Sequence, residues 1–293
     1  MEPYGARHPR LIDRAVIAAT SRLPDNWLGM RLAIGLRRIV TMRTAGDGGL
    51  DVERWGLRMR LHPLDNGCEK GALFTPQMYE VPERTELAAE IAKTIAAGRT
   101  FVFVDVGANV GLFSLFVASC AGLNAKIVAI EPEPENVRRL RFNVAANPGV
   151  PIRVLPVALD EISGKVALEI NRRDRGGTQT RPLSEHCHAG AVEVECLPLQ
   201  EALRRERVQS IDALKIDVEG AEDRILIPFF RDAAESLWPG FILIEDSRDS
   251  WRLDLFSTLA ERGYVVSAKT KQNAILRRLT GNRFLARQRR RPA

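Results

Sequence analysis

The sequence has few cysteines, no long apolar run and no basic stripe studded with aromatics, and each gap removes a class of protein. Its four cysteines, Cys68, Cys120, Cys187 and Cys196, form neither a C-x-x-C pair nor a regular framework. That argues against a disulfide-stapled scaffold, and reduced thiols in a cytoplasmic enzyme are expected. No apolar run reaches the roughly 18 residues that cross a bilayer. Residues 1–10 lack the apolar core and cleavage site of a secretory leader. Aromatics, 6% of the chain, are nowhere interleaved with lysine and arginine as single-stranded nucleic acid demands.

What is present is an ordinary globular composition. The chain has 293 residues, 45% hydrophobic and 27% charged, enough for one large domain or a domain with an appendage. The net charge is +6. Much of that excess sits at Arg277, Arg278, Arg283, Arg287, Arg289, Arg290 and Arg291. A terminal run of this kind reads as a solvated, disordered tail over residues 281–293, and nucleic acid is not the expected partner.

The most informative stretch is FVFVDVGANVGLFSLFVASCAGLNAKIVAIEP, residues 101–132. Phe101 to Val104 is apolar without alternation, as in a strand buried on both faces. Asp105 ends it, a glycine turn follows, and an apolar stretch from Leu112 reads as a helix. A second apolar strand, 126–130, ends in Glu131-Pro132. The unit is βαβ. Gly107 and Gly111 lack a Cβ, so the backbone can bend and approach a nucleoside closely. Glu131 can accept hydrogen bonds from both ribose hydroxyls. Asp105 can orient the turn or meet the cationic amino-acid end of a ligand. A dinucleotide fingerprint needs a middle glycine, and Asn109 stands there. The G-x-x-x-G spacing with Glu131 behind it suits S-adenosylmethionine better than NAD.

The rest of the chain frames this unit. Leu11, Ala15, Val16 and Ala19 recur at helical spacing, and so do Leu28, Leu32, Leu36 and Ile39 among Arg31, Arg37 and Arg38. The second helix either packs on the main domain, the favoured reading, or makes peripheral contact with an anionic membrane through residues 27–40. Residues 52–79 read as a small β cap, with a turn at Asp65-Asn66-Gly67. Thr85 is the expected N-cap of the helix that follows. Residues 152–159 read as a third strand, and Asp160 after it is placed near the adenine. Residues 171–190 form a polar loop, read as a substrate lid. Its His186 and His188 flank Cys187, but no fourth zinc ligand is evident, so no metal is assigned.

A second site lies in IDALKIDVEGAE, residues 211–222. Leu214, Ile216 and Val218 point to one side of a strand, and Lys215, Asp217 and Glu219 to the other. In a doubly wound sheet that strand brings its charges toward Glu131. Residues 241–244 form a fifth strand, and 264–266 with 274–276 a closing hairpin. The expected architecture is an α/β Rossmann-like sheet, mostly parallel with a C-terminal antiparallel hairpin. Residues 1–78 form a helical and β extension, and 79–280 the catalytic domain.

DVGANVG at 105–111, Glu131-Pro132, Asn143, LKIDVEGAE at 214–222 and Ile244-Glu245 together resemble the FkbM-type methyltransferase family. The resemblance covers roughly residues 79–276. It implies a class I S-adenosylmethionine-dependent fold that methylates a hydroxyl of a sugar, glycan or secondary metabolite. By resemblance Asp105, Gly107, Asn109 and Glu131 hold the cofactor, and Asp217 and Glu219 face the acceptor. Members often carry a histidine soon after the fifth-strand glutamate, where this chain has Asp246-Ser247.

An aliphatic hydroxyl must lose its proton as it attacks, so Asp217 is read as the general base. Lys215 pairs with it or steadies developing alkoxide, and Glu219 orients the acceptor. Converging carboxylates also suit Mg²⁺, which is not favoured. The rival readings are an NAD-dependent oxidoreductase and a nucleic-acid methyltransferase that uses the basic tail.

Overall fold

The computed structural model describes residues 2–44, 49–182 and 191–279. His186, Cys187, His188 and the tail 281–293 lie outside the described residues.

The chain opens on helices α1 (Leu11–Thr20) and α2 (Trp27–Arg43), then a hairpin of β1 (Leu50–Arg54) and β2 (Leu57–Leu61), then helices α3 (Gly67–Phe74) and α4 (Val81–Ala96). An alternation follows: β3 (Phe101–Val106), α5 (Leu112–Ala121), β4 (Ala125–Ile130), α6 (Pro134–Ala145) and β5 (Ile152–Leu155). Short strands come next: β6 (Ala158–Leu159), β7 (Gly164–Glu169), β8 (Gln179–Pro182) and β9 (Val192–Leu197). The chain continues through α7 (Leu199–Arg205), β10 (Ala213–Ile216), α8 (Glu222–Asp232), β11 (Phe241–Glu245) and α9 (Leu255–Glu261) to β12 (Tyr264–Lys269) and β13 (Asn273–Arg278).

Seven strands form the main sheet, in the order β12-β13-β11-β10-β3-β4-β5. Neighbours from β11 to β5 are parallel, and β13 and β12 close the edge as the expected antiparallel hairpin. The strand order reverses beside β3. The chain leaves it toward β4 and β5, and returns on the other side through β10 and β11. Ligand crevices of such sheets lie at the carboxyl ends of strands on either side of that reversal.

The two-residue period of the strands sorts their side chains. Phe101, Phe103, Ala213, Phe241 and Leu243 face the layer that holds Ile91, Leu115 and Val117. Val104, Val106, Leu214, Ile216, Ile242 and Ile244 face α7, α8 and α9. Asp105, Lys215 and Glu245 continue the first face, so three charges arrive together at the strand ends. Lys215 is in register with Asp105 across the β10–β3 ladder.

Four local expectations need correction. Residues 152–159 do not form one strand. Pro156 offers no N–H to a ladder, and the chain breaks there. β5 stays in the main sheet, while β6 pairs with β9 in a separate four-stranded sheet. Asn66 is not a turn residue but the N-cap of α3, its side chain accepting from the Glu69 amide at 3.2 Å. Thr85 lies inside α4, donating to Val81 O, and Glu80 is the N-cap. Arg277 and Arg278 belong to β13 rather than to a basic tail: Arg277 pairs with Glu86 and Glu90, and Arg278 with Glu235.

Arg60 knits the extension before residue 79 together and joins it to α6, its amide donating to Asn143 Oδ1 at 2.8 Å. Its guanidinium is fully buried, forks onto Asp51 at 2.7 and 2.8 Å, donates to Glu2 O and Pro3 O, and lies 4.3 Å over the Phe142 ring. Removing one partner of a buried pair strands the other charge. Arg60→Met is therefore expected to cost about 3–5 kcal/mol, read as a lower urea midpoint; an unchanged midpoint would deny this anchor its role.

Candidate active site

The turn after β3 is built by close backbone approach. Gly107 has φ +73°, and a Cβ there would lie 1.8 Å from the carbonyl oxygen of Asp217. The glycine is required because the end of β10 passes against it, not because a ligand does. The amides of Gly107 and Ala108 both donate to Ile130 O at 3.0 Å, binding the turn to β4. Gly111, at φ +87°, begins α5 and would put a Cβ 2.3 Å from Leu140 Cδ1. It serves helix packing and does not line the cleft.

Glu131, just past β4, is 6% exposed and faces the cleft. Its Oε2 accepts from the Asn109 amide at 2.7 Å and its Oε1 from the Glu133 amide at 3.0 Å. A carboxylate oxygen has two lone pairs, so each still has capacity for a further donor. Burial pushes the carboxyl up to about 7, against the pull of those amides. Asn109 is held at φ +52°, and its side-chain oxygen accepts from Asn66 Nδ2 at 2.7 Å. The extension thus fixes the glycine turn directly.

The cleft has a volume of about 650 Å³ and is lined by both predicted clusters. That lies within the range of small-molecule sites. Asp105, Gly107, Asn109 and Glu131 border it from the ends of β3 and β4, and Lys215 from β10. The expected alternation does not run on to Glu219, because β10 ends at Ile216 and Asp217, Val218 and Glu219 reach the cleft from the turn beyond it. Asp160 is not brought there. The break at Pro156 resets the register, and its carboxylate pairs with Arg224 at 3.0 Å. Val157, Ala158 and Leu159 line the cleft in its place.

Four buried side-chain oxygens on the cleft wall lack a hydrogen-bond partner among the described residues: Glu80 Oε2, Asp105 Oδ1, Asn136 Oδ1 and Thr178 Oγ1. Three of these can only accept when the carboxyls are ionised, and buried polar atoms are seldom left alone. The wall therefore suits a ligand rich in N–H and O–H donors. The amine, ribose hydroxyls and adenine amino group of S-adenosylmethionine meet that requirement.

Lys215 is 6% exposed, its ammonium 3.0 Å from Asp217 Oδ2 and 5.3 Å from the Phe113 ring centroid. Burial alone would lower its pKa, but Asp217, Asp105 and Glu80 outweigh that and hold it well above the usual lysine range. Asp105 is also bonded from Ser114, whose amide and hydroxyl donate to Oδ2 at 3.1 and 2.6 Å. Burial pushes the Asp105 carboxyl up, opposed by Lys215 and Ser114. Glu219 sits at φ +58° and is pushed up to about 7 by burial and by Glu245. The turn that carries it is pinned by Glu222, which accepts from Val218 N, Gly220 N and Trp251 Nε1.

Sequence reasoning missed two acids on the wall. Glu80, at φ +44° before α4, is pushed up to about 7 by burial despite Lys215. Glu245 is pushed up to about 7 by burial and Asp217, and accepts from Ser247 Oγ at 2.9 Å. The serine thus fills part of the stretch where a histidine was noted as missing. Glu245 follows from the period of β11, since it continues the Phe241–Leu243 face. No local pattern marks Glu80. The loop read as a lid forms fixed wall in its first part: Arg175 pairs with Asp65 and Glu133, both at 2.9 Å. Among the described residues no group of three His, Cys, Asp or Glu is arranged to hold a metal ion.

A family model described as the methyltransferase FkbM domain matches residues 105–266. AMB antimetabolite synthetase AmbE of Pseudomonas aeruginosa is 27% identical over 213 residues, 60% of this chain and 10% of that protein. Methyltransferase sdnD of Sordaria araneosa is 30% identical over 151 residues, 42% of this chain and 58% of its own length. The matches thus span a tenth of the first relative and just over half of the second. Among solved structures, the human methyltransferase 10 domain containing protein is 13% identical, with 88% of this chain and 100% of that one covered, at a TM-score of 0.46. TrmK of M. capricolum in complex with S-adenosylhomocysteine is 10% identical with 65% of each chain covered, at 0.35. Likenesses of that size carry no argument about ligand or activity.

Proposed function

The chain belongs to the FkbM methyltransferase family and has a class I methyltransferase fold, and from that premise we propose that it transfers a methyl group from S-adenosylmethionine to a hydroxyl oxygen of a small molecule or glycan. The observation that carries this reading is that Glu131 and the Lys215–Asp217 pair line one cleft at the reversal of strand order.

When bound, the sulfonium supplies an activated methyl group. Glu131 accepts the ribose hydroxyls with its spare lone pairs. The free oxygens of Asp105 and Glu80 take the α-ammonium of the amino-acid end. Asp217 accepts the proton of the attacking hydroxyl at its carboxylate, a role worth roughly 10²–10⁴-fold. Lys215 holds that carboxylate in place through Oδ2 and steadies negative charge beside it. Glu219 orients the acceptor by receiving a second hydroxyl. The buried wall, the Arg175 latch included, keeps water from the reacting oxygen.

The acceptor is identified by activity: incubation with methyl-labelled S-adenosylmethionine and a cell extract should give a labelled, hydroxyl-methylated product. Label on a nucleobase nitrogen, or none, would overturn the oxygen assignment.

The pH dependence has a definite sign. Glu219 accepts a hydroxyl much more strongly when ionised, and burial and Glu245 push its carboxyl up to about 7. Turnover should therefore fall as pH drops through about 7 and level off above it. Glu245 raises Glu219, so Glu245→Gln should move this limb to lower pH. A kcat/KM profile flat from pH 6 to 8, or one unmoved in the variant, would remove Glu219 from the role.

A further inference from the structure

Helix α2 carries two apolar faces. Gly29, Ala33 and Val40 are buried against the molecule, with Leu36 packed beside them. The opposite face runs through Trp27, Leu28, Arg31, Leu32, Gly35, Arg38, Ile39 and Met42, steps of one and three residues that keep a single side outward. Its five large apolar side chains are between 43% and 80% exposed. A lone exposed leucine needs no explanation, but five in one stripe do.

We propose that this outer face of α2 docks on an anionic lipid surface. Three observations single out that partner. The helix has no Asp or Glu over its whole length, while Arg31 and Arg38 stand inside the stripe; neither is ion-paired among the described residues. Apolar side chains interleaved with unpaired cations match lipid tails beneath acidic headgroups. Trp27 sits at one end of the stripe with the Arg31 guanidinium 5.0 Å from its ring, the amphipathic pairing suited to the headgroup layer. The helix is also too short and too polar to cross a bilayer, so it lies along the surface.

A second copy of the chain fits less well. A two-fold contact sets a patch against itself, which would oppose the arginines of the two stripes on molecules that each carry +6.

Docking has a consequence for the acceptor, resting on the proposed methyl transfer. Met30, on the same helix, lines the cleft. The docked helix would therefore set the rim of the cleft at the headgroups, and acceptors with a lipid tail would be favoured.

The test is flotation of the full chain with vesicles of phosphatidylcholine, with and without phosphatidylglycerol. The protein should rise with the mixed vesicles and stay down with the neutral ones. Leu28→Glu with Leu32→Glu should abolish flotation, and Arg31→Glu with Arg38→Glu should remove the preference for phosphatidylglycerol. All these positions are exposed, and both variants should melt and bind S-adenosylhomocysteine as the wild type does. Wild-type protein left at the bottom of the mixed-vesicle gradient would overturn the proposal. So would a dimer in light scattering that the leucine variant splits. Flotation needs no cofactor, so a chain that floats yet binds no S-adenosylhomocysteine would keep the docking surface and lose the reading of the cleft.

Discussion

Asp217→Asn is expected to lower kcat by about 10²–10⁴-fold while leaving the affinity for S-adenosylhomocysteine unchanged. The asparagine keeps the size of the side chain and the main-chain bond from residue 217 N to Val106 O at 3.1 Å. Gly107 still meets the same carbonyl, so the turn that frames the cofactor side should hold. What disappears is the group that can receive a proton. Lys215 loses its ion pair at 3.0 Å but keeps Asp105 in register beside it and the charge of Glu80 nearby. Binding and chemistry should therefore separate: calorimetry with S-adenosylhomocysteine reports an intact site, and labelled transfer reports its loss. Retained turnover would remove Asp217 as base and pass the role to Glu219 or Glu245. Loss of both binding and turnover would give Asp217 a structural task.

The second large effect is on the other side of the cleft. Glu131→Gln should weaken S-adenosylhomocysteine by about 10- to 100-fold, since hydrogen bonds to an ionised acceptor are worth about 1.5–3 kcal/mol. The amide must also turn its NH₂ toward the Asn109 amide or the Glu133 amide, a donor against a donor. The signature that marks the carboxylate itself is pH. Hydroxyl donors favour the ionised form, and burial holds the free carboxyl at about 7. Wild-type affinity should therefore be constant above that value and weaken as pH falls below it. The variant has no proton to gain at residue 131 but keeps the Glu80 carboxyl, also at about 7, so its affinity should be weaker and fall less steeply across the same range. A wild-type affinity that ignores pH, or a variant that binds as tightly, would place the ribose elsewhere.

Much of this site could be read before the fold was known, for a physical reason. Phe101 to Val104 and Ile127 to Ile130 are apolar because they are buried on both faces, and such runs are legible locally. A charge at the end of a buried run, as at Asp105, Glu131 or Asp217, must face a cleft or a partner. What resisted reading depends on contacts between distant segments. Asn66-Gly67 carries the same signal for a turn and for a helix start; Glu69, at the third helical position, fits the start, but α3 has its place only because the main domain receives it. Asp160 was misplaced because Pro156 ends a strand that composition alone would extend. The sequence ties Gly107 to a close approach by a nucleoside, yet the atom that forbids a Cβ belongs to Asp217, just past a strand more than a hundred residues away in sequence. Glu80 carries no local mark at all; it reaches the wall because α4 starts beside Lys215.

The most direct measurement is a calorimetric titration of the folded wild-type chain with S-adenosylhomocysteine. The account predicts saturable binding that weakens as pH falls below about 7, following the Glu131 and Glu80 carboxyls. A chain that melts cooperatively and gives no heat across that pH range would contradict it, because the cleft between Glu131 and Asp217 would then hold some other ligand.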